Sequence, residues 1–229
     1  MAETQVAAPP LHNMNKLYIF DFDGTLSDTG GDIAFSVRET QRHFGAPLMD
    51  GKAILANVGY GARHLIERTV GSASDSVAPL EEIFKFYVGE YFDHCTDTSR
   101  LYEGVTETLD LLLARGDKCA VFTNKPLPVT LKMLDFFGIT GRFSAVFCPE
   151  NLTKRKPDPE GIFRCIEKTG VSAGNTLMCG DSKPDIDAGR AAGVKTCGLT
   201  FGMGDREKLL AAGPDYLASS FREIADIVI

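Results

Sequence analysis

Four short stretches of this chain bring together acids, a hydroxyl and a lysine in a combination that one reaction can use. They are Asp21-Phe22-Asp23-Gly24-Thr25, Thr123-Asn124-Lys125, Lys154-Arg155-Lys156-Pro157-Asp158-Pro159, and Gly180-Asp181-Ser182 with Asp185 and Asp187 beyond. Two carboxylates such as Asp21 and Asp181, brought to one point, cannot both stay ionised and unpaired without a cation. Magnesium suits that role, because it takes oxygen ligands from few protein carboxylates and keeps positions for water and a phosphate oxygen. The chemistry that fits is phosphoryl transfer. Asp21 attacks phosphorus to give an aspartyl-phosphate, and Asp23 protonates the leaving alcohol and later takes a proton from water. Thr123 and Lys156, with Asn124 beside the threonine, are the candidates for holding the transferring oxygens. Backbone N–H groups of the Asp23-Gly24-Thr25 turn add donors. Taken singly, each stretch has a plainer reading. Asp-x-Asp-Gly is a common turn, Asp181-Ser182 ahead of a helix is an N-cap, and Lys156 before a proline is a solvated loop lysine. It is their joint occurrence, each at the end of an expected strand, that points to catalysis.

The elements that position them follow from periodicity. Residues 16–22 form a β-branched and aromatic run ended by Asp23-Gly24, which reads as a buried strand entering a turn. From Asp32 to about Cys95 the character is helical: Ile33, Val37 and Phe44 lie at near-helical spacing, with further helices over 62–70 and 80–92 and no convincing strand. After Tyr102-Glu103-Gly104 strands and helices alternate. Helices are expected over 105–114, 129–137, 159–168, 185–192 and 206–212, and strands over 118–122, 144–148, 176–179, 195–199 and 216–218, before a short C-terminal helix. Alternation of this kind implies right-handed crossovers and a parallel sheet covered on both faces. The expected fold is α/β, a doubly wound, mostly parallel Rossmann-like core with a small all-helical cap inserted after the first strand. The core takes residues 16–29 and 99–229, the cap 30–98, and residues 1–15 read as a flexible leader. Sites in such sheets lie at the carboxyl ends of the strands, where the four polar stretches fall.

Composition narrows the partners. The chain has 229 residues, 44% hydrophobic and 24% charged, the ordinary range of a globular protein. Acids outnumber bases 31 to 24, for a net charge of −7, a poor match to nucleic acid. No apolar run approaches the ~20 residues that span a bilayer, and the first fifteen residues lack the apolar stretch of a secretory signal. The six cysteines show no C-x-x-C and the four histidines do not cluster, so buried free thiols in a reducing, cytoplasmic setting are expected and zinc is not indicated. The expected partner is a small phosphate ester, and the chain is a monomer or a homodimer.

These stretches resemble the four motifs of the haloacid dehalogenase superfamily: Asp21-Phe-Asp-Gly-Thr-Leu-Ser-Asp28, Thr123-Asn124, Lys156-Pro157 and Gly180-Asp181-Ser182-x-x-Asp185. Within it the chain is similar to the phosphoglycolate phosphatase group, from about Lys16 to the C-terminus. Asp28-Thr-Gly-Gly-Asp32-Ile, Val58-Gly-Tyr-Gly-Ala-Arg63, Tyr102-Glu-Gly-Val105 and the run 185–193 add to the match. The resemblance implies magnesium held by the Asp21 side chain, the Asp23 backbone carbonyl and Asp181, with Asp185 supporting. It also implies Asp21 as nucleophile and Asp23 as acid/base. Relatives that cleave C–Cl or C–P bonds lack an acid at the position of Asp23, so its presence favours a phosphate ester or anhydride. Lys52 falls roughly where phosphonate-cleaving relatives carry a Schiff-base lysine and is read, given Asp23, as a surface or substrate-approach lysine. Lys183-Pro184 departs from the Arg-Asn common in relatives and is expected to change only the helix start.

In the cap, Gly59-Tyr60-Gly61 lets the backbone approach the site. Arg63 pairs with a substrate carboxylate, such as that of glycolate, or merely begins a solvated helix face. Hinges are expected near Thr29-Gly30 and residues 99–104. The reading is a magnesium-dependent phosphatase acting on a small phosphate monoester, 2-phosphoglycolate first. Within the superfamily the alternatives are a pyrophosphatase, a sugar-phosphate phosphatase and a β-phosphoglucomutase-like enzyme. A non-enzymatic phosphoryl switch is the alternative of another class.

Overall fold

The computed structural model describes residues 15–71 and 78–229. The expected leader therefore lies outside the described residues, apart from Asn15. At the centre is β1 (Leu17–Phe20), whose four side chains are all buried. It pairs in parallel on one side with β4 (Lys118–Phe122) and on the other with β6 (Thr176–Gly180), so that Phe20 faces Val121 and Cys179. Beyond β4 lies β5 (Ala145–Phe147), and beyond β6 come β7 (Lys195–Leu199) and β8 (Tyr216–Ala218), giving the all-parallel order β5-β4-β1-β6-β7-β8. A strand buried on both faces must be apolar throughout, and the period of two then sends its residues to opposite layers. Tyr18 and Phe20 join the core shared with α5 (Val105–Ala114), while Leu17 and Ile19 join the core under α7 (Glu160–Thr169) and α8 (Lys183–Ala192). Each fully buried side chain of this size contributes about 1.5–3 kcal/mol.

The order reverses at β1. The chain adds β4 and β5 to one side, then returns to build β6, β7 and β8 on the other, leaving a crevice at the carboxyl ends of β1, β4 and β6. Above it sit α1 (Gly30–Phe44), α2 (Gly51–Leu55), α3 (Ala62–Thr69) and α4 (Leu80–His94), packed through Ile33, Val37, Ile54, Leu65, Ile83 and Tyr87. No strand forms between α1 and α4 among the described residues.

Several elements differ from the expected ones. A two-stranded antiparallel ribbon, β2 (Ser27–Asp28) with β3 (Arg100–Leu101), joins the two connections to the helical insert, and two-residue strands leave no periodic trace in a sequence. The five residues of α2 are too short to show a helical stripe; the Asp50 side chain caps them by accepting from Ala53 N at 3.1 Å. Helix α8 begins at Lys183, two residues earlier than expected. Ser182 is its N-cap and Asp185 reaches back to the Ser182 backbone, which places the start at Ser182-Lys183. The C-terminal helix is a 3-10 turn over Phe221–Asp226. All six cysteines are buried and none is in a disulfide.

The expected hinges coincide with a tightly bonded junction. The buried Asp32 carboxylate accepts from Thr98 N (2.9 Å), Thr98 Oγ1 (2.6 Å), Ser99 N (2.9 Å) and Ser99 Oγ (2.7 Å). Gly31 is required beside it, because a Cβ there would lie 2.5 Å from Thr98 Oγ1. Asp32 thus fixes where the chain leaves the core relative to where it returns. Asp32→Ala strands the two buried Ser99 donors, removes the bonds to Thr98, and is expected to destabilise the fold by about 2–4 kcal/mol. A urea titration would show this as a lower midpoint at unchanged slope, and an unchanged midpoint would mean that the junction is held elsewhere.

Candidate active site

Asp21 is the first residue past β1; its N–H still extends the ladder by donating to Cys179 O at 3.0 Å. Thr123 stands in the same relation to β4 and donates its N–H to Phe147 O at 3.0 Å. Asp181 follows the last residue of β6. Three neighbouring parallel strands therefore deliver a carboxylate, a hydroxyl and a second carboxylate to their carboxyl ends, with Thr123 and Asp181 one register position beyond Asp21.

Lys156 joins them from the loop before α7. Its side chain is fully buried and its Nζ donates to Asp21 Oδ1 at 2.8 Å and Asp185 Oδ1 at 2.6 Å, so it is not a solvated loop lysine. Asn124 holds it there. The Asn124 Oδ1 accepts from Lys156 N at 2.9 Å, and Nδ2 donates to Lys156 O at 3.1 Å and to Gly59 O of the helical insert at 2.9 Å. Asn124 was expected among the phosphate-binding groups. The structure spends its amide on positioning the Lys156 backbone and the Gly59 loop.

The remaining acids are held by backbone. Asp185 Oδ2 accepts from Ser182 N (3.0 Å) and Ser182 Oγ (2.5 Å), so both its oxygens are committed. Gly180 is obligatory in this arrangement, since a Cβ there would stand 2.2 Å from Asp185 Cγ. Asp181 Oδ2 accepts from Met203 N and Gly204 N, each at 2.8 Å, in the loop after β7. Sequence reasoning missed that loop, and its only mark is the spacing Gly202-Met203-Gly204. Across from it, Gly24 (φ +76°) comes so close that a Cβ would lie 1.9 Å from Asp181 Oδ2.

Charge in this cluster is unbalanced. Oxygens of Asp21, Asp181 and Asp185 lie within 4.8 Å of one another, all three residues are buried, and Lys156 is the only cation bonded to the cluster among the described residues. Burial, and then repulsion from Asp185 and Asp21, pushes the Asp181 carboxyl well above the usual carboxylate range. Burial also raises Asp21, against the opposing pull of Lys156 and a hydrogen bond from Thr123. Burial pulls the Lys156 ammonium down, but Asp185 and Asp21 outweigh it and hold it above its ordinary value. A donor set made only of hard oxygens, with more acid than base and excluded from water, fits magnesium or a similar hard dication. Asp185 is the acid with no oxygen to spare, which fits a supporting place beside the other two.

Asp23 sits on the other side of Asp21. Its Oδ1 accepts from Thr29 Oγ1 and from Lys125 Nζ, both at 2.7 Å. The Lys125 ammonium also bonds Tyr91 OH of α4 and lies over the rings of Phe22 (5.3 Å) and Tyr91 (4.3 Å). Lys125 is at the expected strand end but had no assigned role, and Tyr91 was not expected at the site. The signal for Lys125, its place two residues after Thr123, was in view.

Asp21, Asp23, Thr123, Asn124 and Lys125 line one cavity with Val58, Gly59, Gly61, Leu65 and Tyr87 of the helical layer, about 30 Å³ in volume. That is space for roughly two waters. Arg63 and Tyr60 do not line it. Arg63 pairs with the exposed Glu81 at 2.8 Å and lies over Phe84, and Tyr60 packs against the His64 ring. Lys52 is exposed on α2.

Comparison with known proteins agrees with this geometry. Residues 18–199 match the family described as haloacid dehalogenase-like hydrolase. A phosphoglycolate phosphatase of Haemophilus influenzae is 35% identical over 222 residues, covering 93% of this chain and 98% of the relative. An N-acetylmuramic acid 6-phosphate phosphatase of Pseudomonas aeruginosa is 32% identical over 216 residues, covering 93% and 94%. The crystal structure of a predicted phosphoglycolate phosphatase from Haemophilus somnus superposes with a TM-score of 0.85 at 31% identity, covering 94% of this chain and 98% of the other. With a family match over residues 18–199 and a relative 35% identical along nearly its whole length, the chain belongs to the haloacid dehalogenase-like hydrolase family.

Proposed function

We propose that the chain is a magnesium-dependent phosphatase of small phosphate monoesters, with 2-phosphoglycolate the best-fitting substrate. The convergence of Asp21 and Asp181, at adjacent strand ends, with Lys156 from the loop before α7 carries this reading. Asp21, Asp181 and the Asp23 backbone carbonyl would hold the cation, with Asp185 supporting. When bound, the cation supplies charge that offsets the acids and draws in a phosphate dianion. Asp21 attacks phosphorus as the bond to the ester oxygen breaks, forming an acyl phosphate on its own carboxylate. Asp23 gives its proton to the departing alcohol. It then takes one from a water that attacks the same phosphorus, releasing inorganic phosphate and restoring Asp21. Lys156 and Thr123 hold charge on the transferring oxygens. A long-lived phosphoryl switch has no use for the Asp23 pair, which speaks for turnover.

The helical layer lines the same cavity as Asp21 and Asp23 through Val58, Gly59, Gly61 and Leu65, so the insert, residues 30–98, is proposed to move as a lid when a substrate enters. Six buried, unpaired thiols favour a reducing compartment such as the cytoplasm.

Asp21→Asn is expected to lower phosphate release from 2-phosphoglycolate by at least about 10³-fold, and Asp23→Asn by about 10²–10⁴-fold. Near-normal turnover by Asp21→Asn with magnesium present would remove the nucleophile assignment. A panel of 2-phosphoglycolate, pyrophosphate and hexose phosphates at equal concentration ranks the substrates. Preference for either of the latter two would overturn the small-monoester reading.

The buried acids also set the stability of the metal-free protein. Because the Asp181 carboxyl titrates higher folded than unfolded, the folded state binds more protons. Metal-free stability therefore falls as pH rises from the unfolded carboxylate range toward the raised value. Magnesium at neutral pH is expected to raise the melting temperature by about 3 °C or more over the chelated protein. Asp181→Asn is expected to raise the chelated value and abolish the magnesium shift. A full magnesium shift in that variant would place the ion elsewhere.

A further inference from the structure

Charge is unevenly placed around the cavity. Among the described residues its lining contains two acids, Asp21 and Asp23, and one cation, Lys125; the other side chains there are uncharged. Lys125 is 1% exposed, and the rings of Phe22 and Tyr91 on which its ammonium rests fix where that charge sits. Of the other cations nearby, Lys156 bonds Asp21 and Asp185, Arg63 bonds Glu81 on the outer face, and Arg155 stands beside Gly61 without lining the cavity. The ammonium is bonded to Asp23 Oδ1, and that oxygen has a second partner in Thr29 Oγ1. Asp23 thus remains oriented if Lys125 changes partner.

We propose that Lys125 is the subsite for a second anionic group on the substrate, a carboxylate on the carbon next to the ester oxygen. The inference rests on the phosphatase reading above and names the residue that selects the substrate class. Asp23 must face the ester oxygen, and Lys125 Nζ stands 2.7 Å from that carboxylate. A carboxylate one carbon beyond the ester oxygen falls within reach of the same ammonium. When it arrives, it replaces Asp23 as the counter-ion of Lys125. Asp23, still held by Thr29, is released to serve the ester oxygen. A substrate with an uncharged leaving group offers no such exchange. It must draw Asp23 off Lys125 and strand a buried ammonium, or leave Asp23 where it is, and both slow it. Selectivity then comes as much from the penalty on neutral esters as from attraction to the acidic one.

The test is steady-state kinetics on 2-phosphoglycolate and ethyl phosphate, which share a skeleton and differ in the carboxylate. The wild-type ratio of kcat/KM is expected to favour 2-phosphoglycolate strongly. Lys125→Met should lower that ratio by about 10- to 100-fold, chiefly through KM for 2-phosphoglycolate, and Lys125→Arg should restore most of it. A ratio that Lys125→Met leaves within twofold of wild type overturns the proposal. So does a wild-type ratio near one, with phosphatase activity intact. Failure of the wild type to hydrolyse either ester instead overturns the phosphatase reading. Should Lys125→Met not fold, wild-type inhibition by 3-phosphonopropionate and by propylphosphonate decides, since these differ only in the carboxylate. At least tenfold tighter inhibition by the former is expected, and equal inhibition refutes the subsite.

Discussion

Three buried carboxylates gathered around a single ammonium set the terms for the rest of this molecule. Asp21, Asp181 and Asp185 lie within mutual reach out of water, and Lys156, itself fully buried, bonds two of them. Such a cluster is costly unless its oxygens have partners, and the fold supplies most of them. Ser182 and the start of α8 satisfy Asp185, the loop Met203–Gly204 satisfies one oxygen of Asp181, and Asn124 anchors the backbone that carries Lys156. The charge left over is what the proposed hard cation would offset.

The close glycines follow from the same constraint. Gly180 and Gly24 lie against the carboxylates of Asp185 and Asp181 with no room for a side chain. The ties between the helical layer and the core include three of different chemistry: the Asp32 clamp on Thr98 and Ser99, the bond from Asn124 to Gly59, and the contact of Lys125 with Tyr91. Two of these three ties end on residues of the site itself, so a displacement of the layer is felt at Lys156 through Asn124 and at Asp23 through Lys125.

The strands were legible from sequence because a parallel core strand must be apolar on both faces, and 118–122, 195–199 and 216–218 need no revision. The strand-end acids, Thr123 and Lys156 were legible because four chemically matched stretches fell at successive strand ends. What could not be read depends on contacts between distant residues. Lys125 gains its meaning from Tyr91, 34 residues away on a helix of the insert. Asn124 was grouped with the phosphate ligands by its neighbours in the chain, and only its partners Lys156 and Gly59 show what its amide does. Arg63, read either as a substrate ligand or as the start of a solvated helix face, pairs with Glu81 outside the cavity. The ribbon β2–β3 and the one-turn helix α2 are too short to leave a period.

The central claim is that Asp21, seated beside a cation it shares with Asp181, takes the phosphoryl group onto its own carboxylate. Rapid quenching of the enzyme during turnover of ³²P-labelled substrate, followed by peptide mapping, tests it most directly. The account predicts label on the peptide that contains Asp21, appearing before phosphate is released and disappearing as turnover completes. Phosphate release with no protein-bound label at any time, or label confined to another residue, would contradict it.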